Sequence, residues 1–325
     1  MYGRCSGIGL DIGSSGIRLV QLKKYRKNYR LLAYAEVKTP ENALENGIIT
    51  DVEAIAVAVD RVYRQAGVRT RRVVASIPGQ QAWVRCLTLP RFNRRELRRA
   101  ALYQAAALLP FSVDEMVADT IICAADKVSR QVEVLVVAAR KRVVGALVEC
   151  LRMVDIIPEA VEIGPVSLYR ALRTDGVTGN LLVVDIGSTG MRLSLVCKGV
   201  LRCTKSVAPS LPSFNRLPAA GKGAAGVGLA APRFLPLLVK EIVLTMEESG
   251  IRRDRPGVGP IVLTGKGAAT EGLVELLQDN LAQPVLLGDP LARLSLTGDC
   301  PVQEVERLRF RYAVAIGAAA REVVR

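Results

Sequence analysis

Not one histidine occurs among the 325 residues. That absence removes Ser-His-Asp and Cys-His catalysis together with the commonest metal ligand. Chemistry here must rest on carboxylates, hydroxyls, lysine or backbone amides. Cysteine is sparse: Cys5, Cys86, Cys123, Cys150, Cys197, Cys203 and Cys300. Their number is odd and no two stand in C-x-x-C spacing, so disulfide frameworks and zinc sites are poor readings and buried, reduced thiols are expected. No run approaches the roughly 18 apolar residues of a membrane span, and no charged-then-apolar leader opens the chain. A soluble, cytoplasmic chain is expected. Aromatics make up only 4% of the residues while apolar residues make up 50%. The interior must therefore be built from Val, Leu, Ile and Ala, as in α/β proteins with buried sheets. The length allows two domains with proper cores.

Acids are outnumbered, 31 against 45 lysines and arginines, for a net charge of +14. Such a balance suits anionic lipid, nucleic acid or acidic protein as partner, and equally a surface of solvated arginines. One cluster stands out. Arg91, Arg94, Arg95, Arg98 and Arg99 crowd together with Glu96 as the one acid among them. It reads either as a solvated face or as a docking face for anionic lipid or an acidic segment. Nucleic acid is the weaker reading, because base-stacking aromatics are missing from the region.

The chain speaks one sentence twice. "GLDIGSSGIRLVQL" opens at Gly9 and "VVDIGSTGMRLSLV" at Val183. Aligned on Asp11 and Asp185, about 170 residues apart, both read Asp-Ile-Gly-Ser, then a Gly two residues on, then Arg-Leu. Each reads as strand, tight turn, strand. The Gly allows the tight turn, whose amides can form an anion-binding nest. Ser and Thr hydroxyls add donors for phosphate, and the Asp can hold Mg2+ through its waters. One copy is weak support for a site. Two copies, each opening half of the chain, predict a duplicated fold whose hairpins face each other across a cleft and clamp a polyphosphate. "VLTGKGA" places Gly265 and Gly267 between a strand and a helix, where the backbone can approach a flat base and ribose. The segment "GKGAAGVG" at 221–228 lacks the spacing and the Lys-Ser/Thr ending of a phosphate-binding P-loop.

Between these motifs the pattern predicts strands at 31–37 and 72–77 and a helix at 52–66. Then come a strand ending at Pro90 and a helix with a capping box at Asn93 and Glu96, ended by Pro110. Leu97, Ala101, Ala105 and Leu108 share one helical face. A strand near 116–125 completes a small inserted block at about 80–130. A buried strand at 132–140, a helix to about 154, a strand near 158–162 and a helix near 166–172 follow. Residues 208–233 are rich in Pro, Gly and Ala and read as a linker. A helix near 234–249 and a final helix over 302–323 are expected.

The ordered trio resembles the phosphate 1, phosphate 2 and adenosine motifs of the actin-like ATPase superfamily. Within it, nearly the whole chain is similar to the type IV pilus assembly protein PilM family. The likeness is carried by the opening sentence, by "LPRFNRRELRRAALYQAAALLPFSVDEMVADT", by "VEVLVVAARKRVV" and by "IVLTGKGAATEGLVELLQDNLAQPVLLGDPL". It implies an α/β, actin-like (ribonuclease H-like) duplicated fold. Domain I covers 1–178 with a 1C-type subdomain inserted at about 80–130. Domain II covers 179–325, its final helix packing back toward domain I. It also implies a cytoplasmic ATP-binding scaffold of the inner-membrane assembly platform, peripheral to the inner face of the membrane. The partner would be the N-terminal cytoplasmic tail of a PilN-like protein, in a groove between subdomains 1A and 1C. Pilus motor ATPases are candidate further partners. Carried over residue by residue, Asp11, Gly13, Ser14, Ser15, Asp185, Gly187, Ser188 and Thr189 would hold phosphate, with Mg2+ at Asp11 and Asp185. Gly265, Lys266 and Gly267 would flank the base, and Glu241 would reach the ribose. An FtsA-like membrane-associated filament former and a small-molecule kinase of the same superfamily are the alternatives.

Three departures from the family pattern bear on activity. Lys266 splits the usual glycine run. The interdomain helix opens on Gly164-Pro165 where the hydrolytic relatives have Glu-Pro, with Glu162 nearby. The 208–233 segment has no acid. Nucleotide binding with weak or no hydrolysis is expected, since hydrolysis needs an aligned base as well as a phosphate cradle.

Overall fold

The computed structural model describes residues 7–109, 111–126, 128–173, 179–188, 190–207, 231–248, 259–296 and 300–323. Two sheets repeat one plan. In the first, the order is β10 (Ile157–Ile163), β6 (Arg72–Ile77), β1 (Gly7–Ile12), β2 (Ile17–Tyr25), β3 (Asn28–Val37) and β16 (Leu294–Ser295). In the second it is β15 (Val285–Leu287), β14 (Ile261–Thr264), β11 (Leu181–Ile186), β12 (Met191–Cys197) and β13 (Val200–Val207). Each sheet has an antiparallel run of three strands, followed on the far side of its first strand by parallel strands.

The centre of each sheet is apolar because both of its faces are covered. Ile8, Leu10, Leu182 and Val184 are all buried. On the first sheet, one face packs against α1 (Val52–Ala66) and α3 (Lys141–Met153) through Ile55, Val59, Val62, Leu147 and Leu151. Asp51 caps α1 by accepting from the Ala54 amide at 2.9 Å, and Gly67 ends it in the left-handed region. The second sheet packs against α5 (Ala231–Glu248) and α6 (Leu273–Asn280) through Leu238, Ile242, Leu273 and Leu277. Helix α5 starts inside the stretch expected to be linker; the rest of that stretch, 208–230, lies outside the described residues.

A third, antiparallel sheet has the order β7 (Ala82–Pro90), β9 (Gln131–Arg140), β8 (Met116–Asp126). One face carries α2 (Arg94–Ala106), whose Leu97, Ala101 and Ala105 pack on Leu89, Val132 and Val134. The Asn93–Glu96 capping box is formed. Two expectations need correction. The strand at 131–140 is the middle strand of this sheet, so the small unit extends beyond 130. Leu108 lies past the end of α2 and is exposed, so it does not extend the helix's buried face. A hairpin of β4 (Leu44–Glu45) and β5 (Ile48–Ile49) lies before α1.

The chain ends on the first sheet. The expected single helix over 302–323 is two, α7 (Val302–Arg311) and α8 (Ala313–Val323), broken at Tyr312. At the break Tyr312 is fully buried and meets the Tyr34 ring edge-on. Helix α8 then lies on β1 and on α4 (Gly164–Leu172) so closely that a side chain at Gly9 would strike the Ala315 carbonyl and one at Gly317 the Ser167 carbonyl. Glu162 locks the arrangement. Its carboxylate accepts from Arg170 at 2.7 and 2.8 Å, from Ser167 at 2.8 Å and from Arg321 on α8 at 2.6 Å. Every cysteine among the described residues is free, but Cys150 alone is buried, so the expectation of buried thiols holds only there.

A candidate phosphate cleft between two hairpins

The two repeated hairpins are built alike to the level of single hydrogen bonds. The Gly13 amide donates to the Gly16 carbonyl at 3.1 Å, and the Gly187 amide donates to the Gly190 carbonyl at 2.9 Å. These glycine amides therefore close the turns and are not the donors of an anion nest. The register places Asp11 opposite Arg18, and Asp185 opposite Arg192. The turn tips meet, with the Ser14 and Ser188 hydroxyls 3.0 Å apart.

Between the hairpins lies a cavity of about 430 Å³. Of the sequence-predicted site residues, Asp11, Gly13, Ser14, Ser15, Asp185, Gly187, Ser188, Gly265 and Lys266 line it. Thr189 lies outside the described residues. Gly267 is placed elsewhere: it packs on Ile186, where a side chain would collide. Gly265 has φ +82°, and a side chain there would run into the Asp185 carboxylate and the Ile186 carbonyl. The glycines of this turn thus let it close over the end of β11. Glu241 does not line the cavity. It pairs with Lys205 of β13 at 3.2 Å.

The arginines are what the motif reading passed over. Arg18 reaches Asp11 at 3.5 Å, Glu36 at 2.9 Å and the Ser15 hydroxyl at 3.1 Å. Arg192 reaches Asp185 at 3.4 Å and crosses to the Gln80 side-chain oxygen at 3.3 Å. The signal was present: the pattern shared by the two sentences closes on Arg-Leu, and hairpin pairing puts that Arg beside the Asp. Burial pushes the Asp11 carboxyl above its ordinary range, against the pull of Arg18 and with the charge of Asp185 adding to the rise. Burial likewise pushes Asp185 up, against Arg192 and Arg18.

This donor set fits an anion and does not fit a cation held by the two aspartates. Among the described residues lining the cavity, two carboxylates face four cationic side chains, Arg18, Arg192, Lys266 and Arg311. Each carboxylate already has a guanidinium beside it. Hydroxyls of Ser14, Ser15 and Ser188 add phosphate-compatible donors. The two lining carboxylates each stand beside a guanidinium, and Glu162 is held by two arginines and a serine.

A family model described as type IV pilus assembly protein PilM matches residues 9–202. Among solved structures, one described as a PilM-PilN type IV pilus biogenesis complex is similar over 99% of both chains, with a TM-score of 0.82 and 23% identity. The ethanolamine utilization protein EutJ from Carboxydothermus hydrogenoformans is similar over 98% of this chain and 90% of its own, with a TM-score of 0.53 and 14% identity. The fold, with its duplicated sheets and paired hairpins, is the actin-like one. With more than half of its length matched, the chain belongs to the type IV pilus assembly protein PilM family.

Proposed function

We propose that the chain is a nucleotide-binding scaffold of the type IV pilus inner-membrane platform, and that it holds the N-terminal cytoplasmic segment of a PilN-like membrane protein. The observation that carries this reading is the likeness to the PilM-PilN complex structure, which runs over 99% of both chains and so includes the small three-stranded unit. That unit has what a docking site needs. Its β8 is an edge strand, and Val117, Ile121 and Ile122 on it are exposed, as is Tyr103 on α2. An extended segment can add to such an edge with main-chain hydrogen bonds, while apolar side chains give specificity. No helix among the described residues is long and apolar enough to cross a membrane. Held by its partner, the chain would sit at the cytoplasmic face, where the exposed Arg91, Arg94, Arg95, Arg98 and Arg99 suit anionic lipid. Motor ATPases of the machine are further partners in this reading.

The nucleotide, ATP in the family pattern, would place its phosphates between the hairpin tips. It supplies negative charge that both halves can share. Ser14 and Ser188 exchange their mutual hydrogen bond for bonds to phosphate oxygens, and Arg18 and Arg192 neutralise charge from opposite sides. Gly265 lets the backbone lie close to the ligand. With Glu162 committed to α8, hydrolysis is slow or absent. A kinase reading lacks a free carboxylate base among the described lining residues, and the family match disfavours an FtsA-like filament former.

The test is fluorescence anisotropy of a labelled N-terminal PilN-type peptide titrated with the full chain. Saturable binding is expected, weakened by Ile121→Asp with Ile122→Asp. No binding at the highest soluble concentration overturns the scaffold reading.

A further inference from the structure

We propose that the cleft takes the phosphate groups of its ligand on Arg18 and Arg192 without a divalent cation. The inference rests on the nucleotide reading for the identity of the ligand, and on the cleft itself for the chemistry.

The placement is built into the fold. Hairpin register sets an arginine opposite the aspartate in both halves, so the two guanidiniums enter the cleft from the two sides. Neither is fully used. The Nε atoms of Arg18 and Arg192 are buried and have no hydrogen-bond partner among the described residues. Among the described residues, Arg192 is held by bonds of 3.3 and 3.4 Å, at the long end of useful geometry. A buried donor left unpaired is costly, so neither guanidinium is locked by a full set of hydrogen bonds and each is free to turn its Nη groups to a phosphate oxygen.

Charge points the same way. Arg18 shares Glu36 with Arg311 and Arg307, at 2.9, 2.6 and 3.2 Å. Arg307 has Glu304 as a second partner at 3.2 Å. Glu36 then serves both Arg18 and Arg311, which line the cleft, and Asp11 at 3.5 Å is the other carboxylate beside Arg18. The cavity wall thus has an excess of positive charge before any ligand arrives. A divalent cation entering beside Asp11 or Asp185 would meet that excess and a guanidinium already within 3.5 Å of each carboxylate. A phosphate chain meets the opposite situation: two planar forks that can each give paired hydrogen bonds.

Isothermal titration of the full chain with ATP, and in parallel with inorganic pyrophosphate, in EDTA and in Mg2+, decides the matter. ATP dissociation constants are expected to agree within about threefold in the two buffers. Arg192→Gln should weaken ATP and pyrophosphate about tenfold or more, the worth of one charged hydrogen-bonding group, and Arg192→Lys should weaken them less. Asp185→Asn should tighten binding in EDTA, because it removes a negative charge beside the anion and frees Arg192. In Mg2+ a metal ligand would show the reverse, with Asp185→Asn weakening ATP. Thermal melts establish that the variants fold. If Arg192→Gln does not, Arg192→Lys and Asp185→Asn decide. ATP binding only in Mg2+, lost in Asp185→Asn, overturns this inference and leaves the nucleotide reading standing. Pyrophosphate binding in EDTA without ATP binding keeps the arginine clamp and overturns the nucleotide reading. No binding of either ligand overturns both.

Discussion

The hydroxyl of Ser14 lies 3.0 Å from that of Ser188, joining two turn tips 174 residues apart in the chain. The contact is one hydrogen bond between partly solvated groups, worth about 1 kcal/mol. It is therefore weak enough for a ligand to replace. It also fixes the closed distance between the two halves at the place where a phosphate would enter.

That distance can be trapped. In a Ser14→Cys, Ser188→Cys double variant, mild oxidation should link the two positions, since the side-chain ends already sit within reach of disulfide geometry. Peptide mass spectrometry would find the 14–188 cross-link against the background of native cysteines. Pyrophosphate or ATP should slow its formation by sitting between the tips. A cross-link that forms at the same rate with saturating ligand would place the ligand elsewhere.

Glu162 makes a second prediction. Burial alone would raise its carboxyl, but Arg170, Ser167 and Arg321 outweigh burial and hold it below its ordinary 4.5. Glu162→Gln removes a buried charge that two guanidiniums face, so it should cost about 3 kcal/mol of unfolding free energy at neutral pH. The sign with pH follows from linkage. A carboxyl depressed in the folded state gives stability that is present above its unfolded value and lost as pH falls through the folded value. The gap between wild type and variant should thus be full at about pH 7 and shrink toward about pH 4 in urea titrations. An unchanged gap would mean that the ionised carboxylate is not the source.

Local pattern explains what could be read without coordinates. The strand that ends at Pro90 and the helix at 52–66 stop where expected, because a terminal proline, an Asp cap and a Gly stop act within a few residues. The candidate cleft was legible through its repetition, since two equal turns imply two equal halves. Three features were not legible, each because it is set at long range. Strand β9 sits between β7 and β8 although it follows both in sequence. The break at Tyr312 has no Pro or Gly to announce it in the sequence and falls at a fully buried ring that meets Tyr34. Gly267 and Glu241 sit in motif order, yet one packs on Ile186 and the other pairs with Lys205.

Cys86 should be the thiol that reacts first when compared with Cys150. A hydrogen bond from Cys123 and the nearby Arg202 guanidinium, whose Nη1 is 3.0 Å from the sulfur, bring the Cys86 thiol down to about 7 against the effect of burial. Burial pushes Cys150 up to about 12. Because the thiolate is the nucleophile, iodoacetamide at neutral pH should label Cys86 well before Cys150. Arg202→Gln should slow the labelling of Cys86 and leave that of Cys150 unchanged. Equal rates at the two positions in the wild type would refute the assignment.

Two glycines separate close packing from local propensity. Gly317 lies where α8 crosses α4, and an added methyl would collide with the Ser167 carbonyl, which is backbone and cannot turn aside. Gly317→Ala must push α8 off the sheet, and overpacking of this kind costs about 1–3 kcal/mol or more. It should also loosen the hold of Arg321 on Glu162, since both sit on the same displaced contact. Gly145 is the contrast. It lies inside α3, with nothing within 4 Å of the site of an added methyl. Gly145→Ala should therefore stabilise the chain by about 0.5–1 kcal/mol, through helix propensity alone. Chemical denaturation of the two variants should give opposite signs. A destabilised Gly145→Ala would show that α3 is crowded at that face, and a neutral Gly317→Ala would show that α8 does not lie as close to α4 as described.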